Sequence, residues 1–167
     1  KATRFLLNNN RKKIALITTP NHVNVGTLRR QGYEKAHIEE YLKTDKNLII
    51  EVNEKEDIKS QIEKVFDQDI NAVFAVNEIY AANSMKIAKE RGLRIPEDVS
   101  IIGFTDGLIS EYSSPSITTI AQHGYTMGKQ VVDLLIERIE NESETFKPKK
   151  IVISSDLKLR ESTKPSS

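Results

Sequence analysis

The sequence predicts an α/β fold, a parallel sheet packed between layers of helices, from two patterns in its first 104 residues. Short apolar runs alternate with longer amphipathic segments, four of the first separated by three of the second. Each such segment is long enough to cross from one parallel strand to the next, which two-residue hairpins cannot do. The apolar runs are continuous rather than alternating, as in strands covered on both faces.

The elements follow in order. KKIALIT (12–18) reads as a strand, and LRRQGYEKAHIEEYL (28–42) as a helix with Leu28, Tyr33 and Ala36 at helical spacing. NLIIEV (47–52) is the second strand. EDIKSQIEKVFDQ (56–68) aligns Ile58, Ile62, Val65 and Phe66, with acidic residues in the first turn where the helix dipole favours them. NAVFAV (71–76) is the third strand. IYAANSMKIAKERG (79–92) is a helix that ends in basic residues and Gly92. DVSIIGF (98–104) is the fourth strand.

The pattern then changes. SITTIAQ (116–122) reads as a strand or extended crossing, 124–142 as a long helix, and 149–162 as extended. NESETFKPKK (141–150) reads as a polar surface turn and STKPSS (162–167) as a frayed tail. The long helix carries Met127, Val131, Leu134, Leu135 and Ile139 on one side, and the opening ATRFLL is apolar too. Neither has an evident place on the four-strand unit. Both are expected to cover a second sheet whose strands are not in this chain.

Composition narrows the function. The chain has 167 residues, 38% hydrophobic and 29% charged, which suits one globular domain. It has no cysteine, so disulfides, thiolate metal sites and cysteine nucleophiles are excluded, and a reducing compartment is favoured. Twenty-five basic residues against 24 acidic ones leave no electrostatic footprint for nucleic acid. No apolar run approaches the roughly 18 residues of a membrane span. The first ten residues lack both an initiating Met and a signal-peptide core, so the chain is expected to be part of a longer protein.

Ligands of open parallel sheets bind beyond the carboxyl ends of the strands. Here those ends run into Thr18, Thr19, Asn21 and His22, then Asn53 and Glu54, then Asn77 and Glu78, then Thr105 and Asp106, with Arg29 and Arg30 on the following helix. Amides, hydroxyls, carboxylates and guanidinium groups together can bracket a polyhydroxylated small molecule. The same residue types also cap helices, so the two readings stand side by side. Chemistry finds less support. His22, His37 and His123 show no metal-ligand spacing, and no GxSxG, GxGxxG or phosphate-loop motif occurs. Glu78 and Asp106 form a conceivable acid–base pair, for which capping and salt bridging are the simpler account. No enzyme, metal or cofactor is expected. Asn141-Glu142-Ser143 matches a glycosylation sequon, without meaning in a cytoplasmic protein.

Four blocks resemble the LacI/GalR transcriptional regulators in their effector-binding domain: LRRQGYEKA (28–36), AVFAVNEIYAANSMKIAKERGLRIPEDVSIIGFTD (72–106), SPSITTIAQHGYTMGKQVVDLLIERIE (114–140) and LKLRES (157–162). The resemblance spans essentially the whole chain. It implies two lobes like those of periplasmic sugar-binding proteins, with an effector in the cleft and a helix-turn-helix headpiece upstream. On that pattern residues 11–119 and 150–162 form the C-terminal lobe, a three-layer parallel-sheet unit of the type I periplasmic-binding-protein-like fold. Residues 1–10 and 120–149 are remnants of an N-terminal lobe that is mostly absent. The resemblance further implies effector binding by Arg29 and Asn77. It places Thr105 where the family usually has an aspartate, with Asp106 next to it, and Asn53 near a position that often stacks on a sugar ring. It implies a homodimer through the helix at 79–91 and the loop at 107–116, with Ile79, Leu108, Ile109 and Tyr112. The expected function is allosteric control of operator DNA by a small, sugar-like effector in the cytoplasm. The alternative is an exported sugar-binding protein of a transporter or sensor.

Overall fold

The computed structural model describes residues 1–140 and 148–163. The expected polar turn, apart from its last three residues, the sequon and all but the first two residues of the tail lie outside these. Six strands form one sheet in the order β2-β1-β3-β4-β5-β6: β1 (Ile14–Thr18), β2 (Ile49–Glu51), β3 (Ala72–Ala75), β4 (Ser100–Phe104), β5 (Thr118–Ala121) and β6 (Asp156–Lys158). The first five are parallel, and β6 runs antiparallel to β5. The helices are α1 (Ala2–Asn8), α2 (Asn24–Glu39), α3 (Ile58–Glu63), α4 (Glu78–Glu90), α5 (Leu108–Tyr112) and α6 (Gly124–Glu140).

The central strands explain their own composition. Ile14, Leu16 and Ile17 of β1, Ala72 and Val73 of β3, and Ile101 and Ile102 of β4 are fully buried. Consecutive residues point to opposite faces, so both faces of the sheet are covered and no polar alternation survives. Helix ends are set locally. Asp57 accepts from the Ser60 N–H at 2.8 Å to start α3, and Asn77 accepts from the Tyr80 N–H at 2.8 Å to start α4. Gly92, at φ +72°, takes the chain out past α4 in a conformation that side chains disfavour. Helix α2 is fastened to the sheet by Tyr33, whose hydroxyl donates to the Ile14 carbonyl at 2.7 Å.

Three expectations change. The opening helix does have a place on this sheet. Ala2, Leu6 and Leu7 of α1 join the core shared with β1 and β3, and Leu6 is fully buried. Its apolar face answers to the layer that already holds α2, which periodicity alone could not reveal. The segment 107–116, read as a loop, contains α5, which begins at Leu108 just after the extended Gly107. The extended reading of 149–162 reduces to the three residues of β6. Beyond β6 the closing segment returns to the centre of the sheet: the Ile101 N–H donates to the Ser162 carbonyl at 2.9 Å, and the Ser162 hydroxyl accepts from the Thr118 N–H at 2.8 Å. The segment 116–122 resolves into β5, a fifth parallel strand.

Helix α6 is different. None of its residues is buried, and Met127, Val131, Leu135 and Ile139 stand open to solvent. A strongly amphipathic helix with a bare apolar face has no core of its own here.

Candidate functional site

A cavity of about 480 Å³ opens on the face of the sheet that carries α1 and α2. Helix α2 contributes Val25, Leu28 and Arg29, β4 contributes Phe104, β5 Ile120, and the chain just past β5 Gln122. The wall is mainly apolar, with few polar groups set into it, the usual make-up of a small-molecule site.

Arg29 is the charged group that organises it. The helix places it one turn after Val25, so both side chains share a face. Its Nη1 donates to the Val76 carbonyl at the end of β3, and its guanidinium carbon stands 3.7 Å from the centroid of the Phe104 ring. Burial lowers its pKa from the ordinary arginine value. No carboxylate pairs with it among the described residues. A desolvated cation held by one carbonyl and one ring face retains donors for a further acceptor.

Thr105 leaves β4 at φ +80°, a strained conformation for a β-branched residue. Its N–H donates to the Ile120 carbonyl at 3.1 Å, and its exposed hydroxyl lies 3.4 Å from Gln122 Oε1 on the cavity wall. Asn77 sits beside Val76, but its amide oxygen is occupied in capping α4. Next to it the Tyr80 hydroxyl donates to Glu54 at 2.8 Å. Burial, then this carboxylate, push that phenol up to about 12.

Two residues expected in the site are employed elsewhere. Asp106 does not line the cavity. It accepts from Thr119 Oγ1 at 3.0 Å, from Lys158 Nζ at 3.1 Å and from Arg160 Nη2. Burial pulls its pKa upward, but these donors outweigh it and hold the carboxyl below its ordinary value. Asp106 therefore binds the β4 turn to β5 and β6. Asn53 closes its own turn: its amide donates to Glu56 at 2.8 Å and accepts from the Lys55 N–H at 3.2 Å, outside the cavity. The wall residues Phe104, Val25 and Gln122 were not picked out by the sequence reading. Phe104 looked like the last core residue of a strand, and Gln122 like a connector.

Ile79, Leu108, Ile109 and Tyr112 lie on α4 and α5, which pack against each other, and all four are exposed, Tyr112 by 78%. No group of acidic, histidine or cysteine side chains suited to a metal ion occurs among the described residues, and no helix there is long and apolar enough to cross a membrane.

Residues 3–163 match the model of the periplasmic binding protein-like domain. The HTH-type transcriptional repressor PurR of Histophilus somni (strain 129Pt) is 35% identical over 167 residues, 98% of this chain and 49% of that protein. A solved complex of the transcriptional regulator CelR with cellobiose superposes with a TM-score of 0.86 at 29% identity, over 96% of this chain and 49% of the other. A regulator of the LacI family from Sanguibacter keddieii superposes at 0.87, also at 29% identity, over 96% and 61%. The chain spans about half the length of the curated relatives it matches. It belongs to the periplasmic-binding-protein-like family, in the branch that forms the effector-binding domains of LacI-type transcriptional regulators.

Proposed function

We propose that this chain is the effector-sensing part of a cytoplasmic, dimeric LacI-type regulator. It binds a small polar ligand between its own sheet unit and a second lobe, and so controls a separate DNA-binding headpiece. The observation that carries the reading is Arg29, half-buried on the cavity wall with no carboxylate partner among the described residues. Thr105 and Asn77 supply further polar groups at neighbouring strand ends. Residues 11–119 and 150–162, with α1, form the lobe that holds these groups. Helix α6, within 120–149, belongs to the second lobe, which its bare apolar face would cover.

The mechanism rests on differential affinity. A ligand that touches both lobes favours the arrangement in which both sets of contacts are made. If that arrangement also changes headpiece spacing in a dimer, ligand and operator affinities are coupled reciprocally. Exposed Ile79, Leu108, Ile109 and Tyr112 supply the dimer face. The relatives are regulators rather than enzymes, and they favour this reading over an exported sugar-binding protein.

The test uses the full-length protein. Calorimetry against a panel of sugars and related metabolites finds the ligand, and operator binding is measured with and without it. Arg29→Ala should weaken ligand binding by at least about 1.5 kcal/mol, roughly tenfold, with the fold intact by circular dichroism. Unchanged affinity overturns the site.

A further inference from the structure

We infer that Glu78 is a positioning residue of the dimer face: its carboxylate, seated on Gly107 and beside Ser110, holds α5 against α4, so that the apolar side chains of both helices form one surface. This rests on the dimer reading above and deepens it by naming what keeps the face in shape.

Helix α5 has little else to hold it. It is five residues long, too short to be stable by itself, and Ser110 is the residue it buries. Its large apolar side chains, Leu108, Ile109 and Tyr112, stand exposed. A helix whose apolar side chains stay outside draws little from burial, so polar contacts must set its place.

Those contacts come from α4. Ser110 is fully buried, and its hydroxyl lies 3.5 Å from Glu78 Oε2. Both carboxylate oxygens of Glu78 rest against Gly107, just before α5 starts, so closely that a Cβ there would overlap them. Gly107 is extended, at φ −108°, so this contact excludes a side chain and the backbone does not. Past the far end of α5, Lys89 Nζ donates to the Ser114 carbonyl. One helix therefore grips the other before its first turn and after its last. A further tie, from the Ile117 N–H to the Ser110 carbonyl at 2.8 Å, fastens α5 to the segment entering β5 rather than to α4.

Position in the chain completes the argument. Ile79 follows Glu78 and Leu108 follows Gly107, so the contact joins the two elements where each begins its share of the face. The turn that leads into Gly107 is itself fixed, because Asp106 is held by Thr119, Lys158 and Arg160. With the turn anchored on that side, the Glu78 contact on the other sets how α5 leaves it. A surface ordered in advance binds more tightly, since less freedom is lost on association.

The experiment is sedimentation of the full-length protein across a concentration series, with a thermal melt of each variant. Glu78→Ala removes the contact, and Gly107→Ala pushes the carboxylate aside without removing it. Each should raise the self-dissociation constant about fivefold or more, with helix content unchanged and a melting temperature within a few degrees of the parent. Glu78→Gln keeps the shape and an oxygen for Ser110, and should associate like the parent. Leu108→Asp is the control, since it acts on the face without touching Glu78. If Leu108→Asp weakens association while Glu78→Ala and Gly107→Ala match the parent, the inference is overturned and the dimer face stands. If all three match the parent, both fall. A loss that Glu78→Ala and Glu78→Gln share in full, with a similar fall in melting temperature, marks general destabilisation and overturns the inference. Should Glu78→Ala melt without cooperativity, Gly107→Ala decides: association equal to the parent's overturns the inference.

Discussion

The Arg29 guanidinium carbon lies 3.7 Å from the centre of the Phe104 ring, so the cavity's central cation rests on the last residue of β4. The ring attracts the cation through its negative face and also fixes the plane of the guanidinium. Strand β4 thus serves the site by what it ends in. Phe104→Leu keeps an apolar side chain but removes the ring face. The variant should bind ligand about three- to tenfold more weakly, the range of a partly desolvated cation–π contact, with a melting temperature within a few degrees of the parent. Calorimetry checks it. Unaltered affinity would make Phe104 a packing residue only.

Asp106 and Arg160 tie the turn after β4 to the segment after β6, and the Arg160 side chain is only 10% exposed. Asp106→Asn leaves that guanidinium with the Ile117 carbonyl and Thr119 Oγ1 but without its counter-charge. A loss of about 2–3 kcal/mol in unfolding free energy is expected from chemical denaturation. The loss should be smaller in the double variant with Arg160→Met, because no unpaired charge then remains.

The same pair sets a pH dependence. The folded-state pKa of Asp106 lies below its ordinary value. Its contribution is therefore complete above the ordinary carboxylate range, about 4, and is lost as pH falls through the lower folded value. The stability gap between parent and Asp106→Asn should be constant above about pH 5 and narrow below pH 4. Denaturation curves at a series of pH values measure it. A gap that widens in acid contradicts the assignment.

Thr105 holds φ +80° at an exposed position. A β-branched residue pays about 1–2 kcal/mol for left-handed backbone, and asparagine tolerates it better. Thr105→Asn should raise stability by about 1 kcal/mol, read as a melting temperature a few degrees higher. A lower melting temperature would mean that the Thr105 contact with Gln122 outweighs the backbone strain.

The sequence carried the architecture well because continuous apolar runs and helical spacing report which surfaces are buried. It carried the site less evenly. Arg29 was named as a cation on the helix after the first parallel strand, and the structure sets it on the cavity wall. Asp106 and Asn53 were read as ligand groups from their position at strand ends, yet their partners, Arg160 and Glu56, decide their roles. One of those partners is 54 residues away, joined only when β6 adds to β5. Phe104 showed the reverse problem: an aromatic at a strand end reads as core, and its use by Arg29 depends on how α2 crosses the sheet. Helix α1 gave no sign of which sheet it covers, since an amphipathic stripe specifies a partner face and not its owner.

The exposed apolar group on α4 and α5 yields the last prediction. Leu108 is 70% exposed and Tyr112 78%, with Ile79 and Ile109 about half exposed beside them. Scattered apolar residues on a surface need no explanation, but a contiguous set carried by two packed helices does. Tyrosine is a frequent anchor of protein interfaces because its ring buries a large area while its hydroxyl tolerates the wet rim. A charge introduced there would lose its hydration in a closed interface and gain nothing in the monomer. Leu108→Asp and Tyr112→Asp in the full-length protein should each weaken self-association at least tenfold while leaving helix content unchanged, since neither side chain packs into the core. Sedimentation across a concentration series measures this. If both variants associate like the parent, the α4–α5 face is ordinary surface.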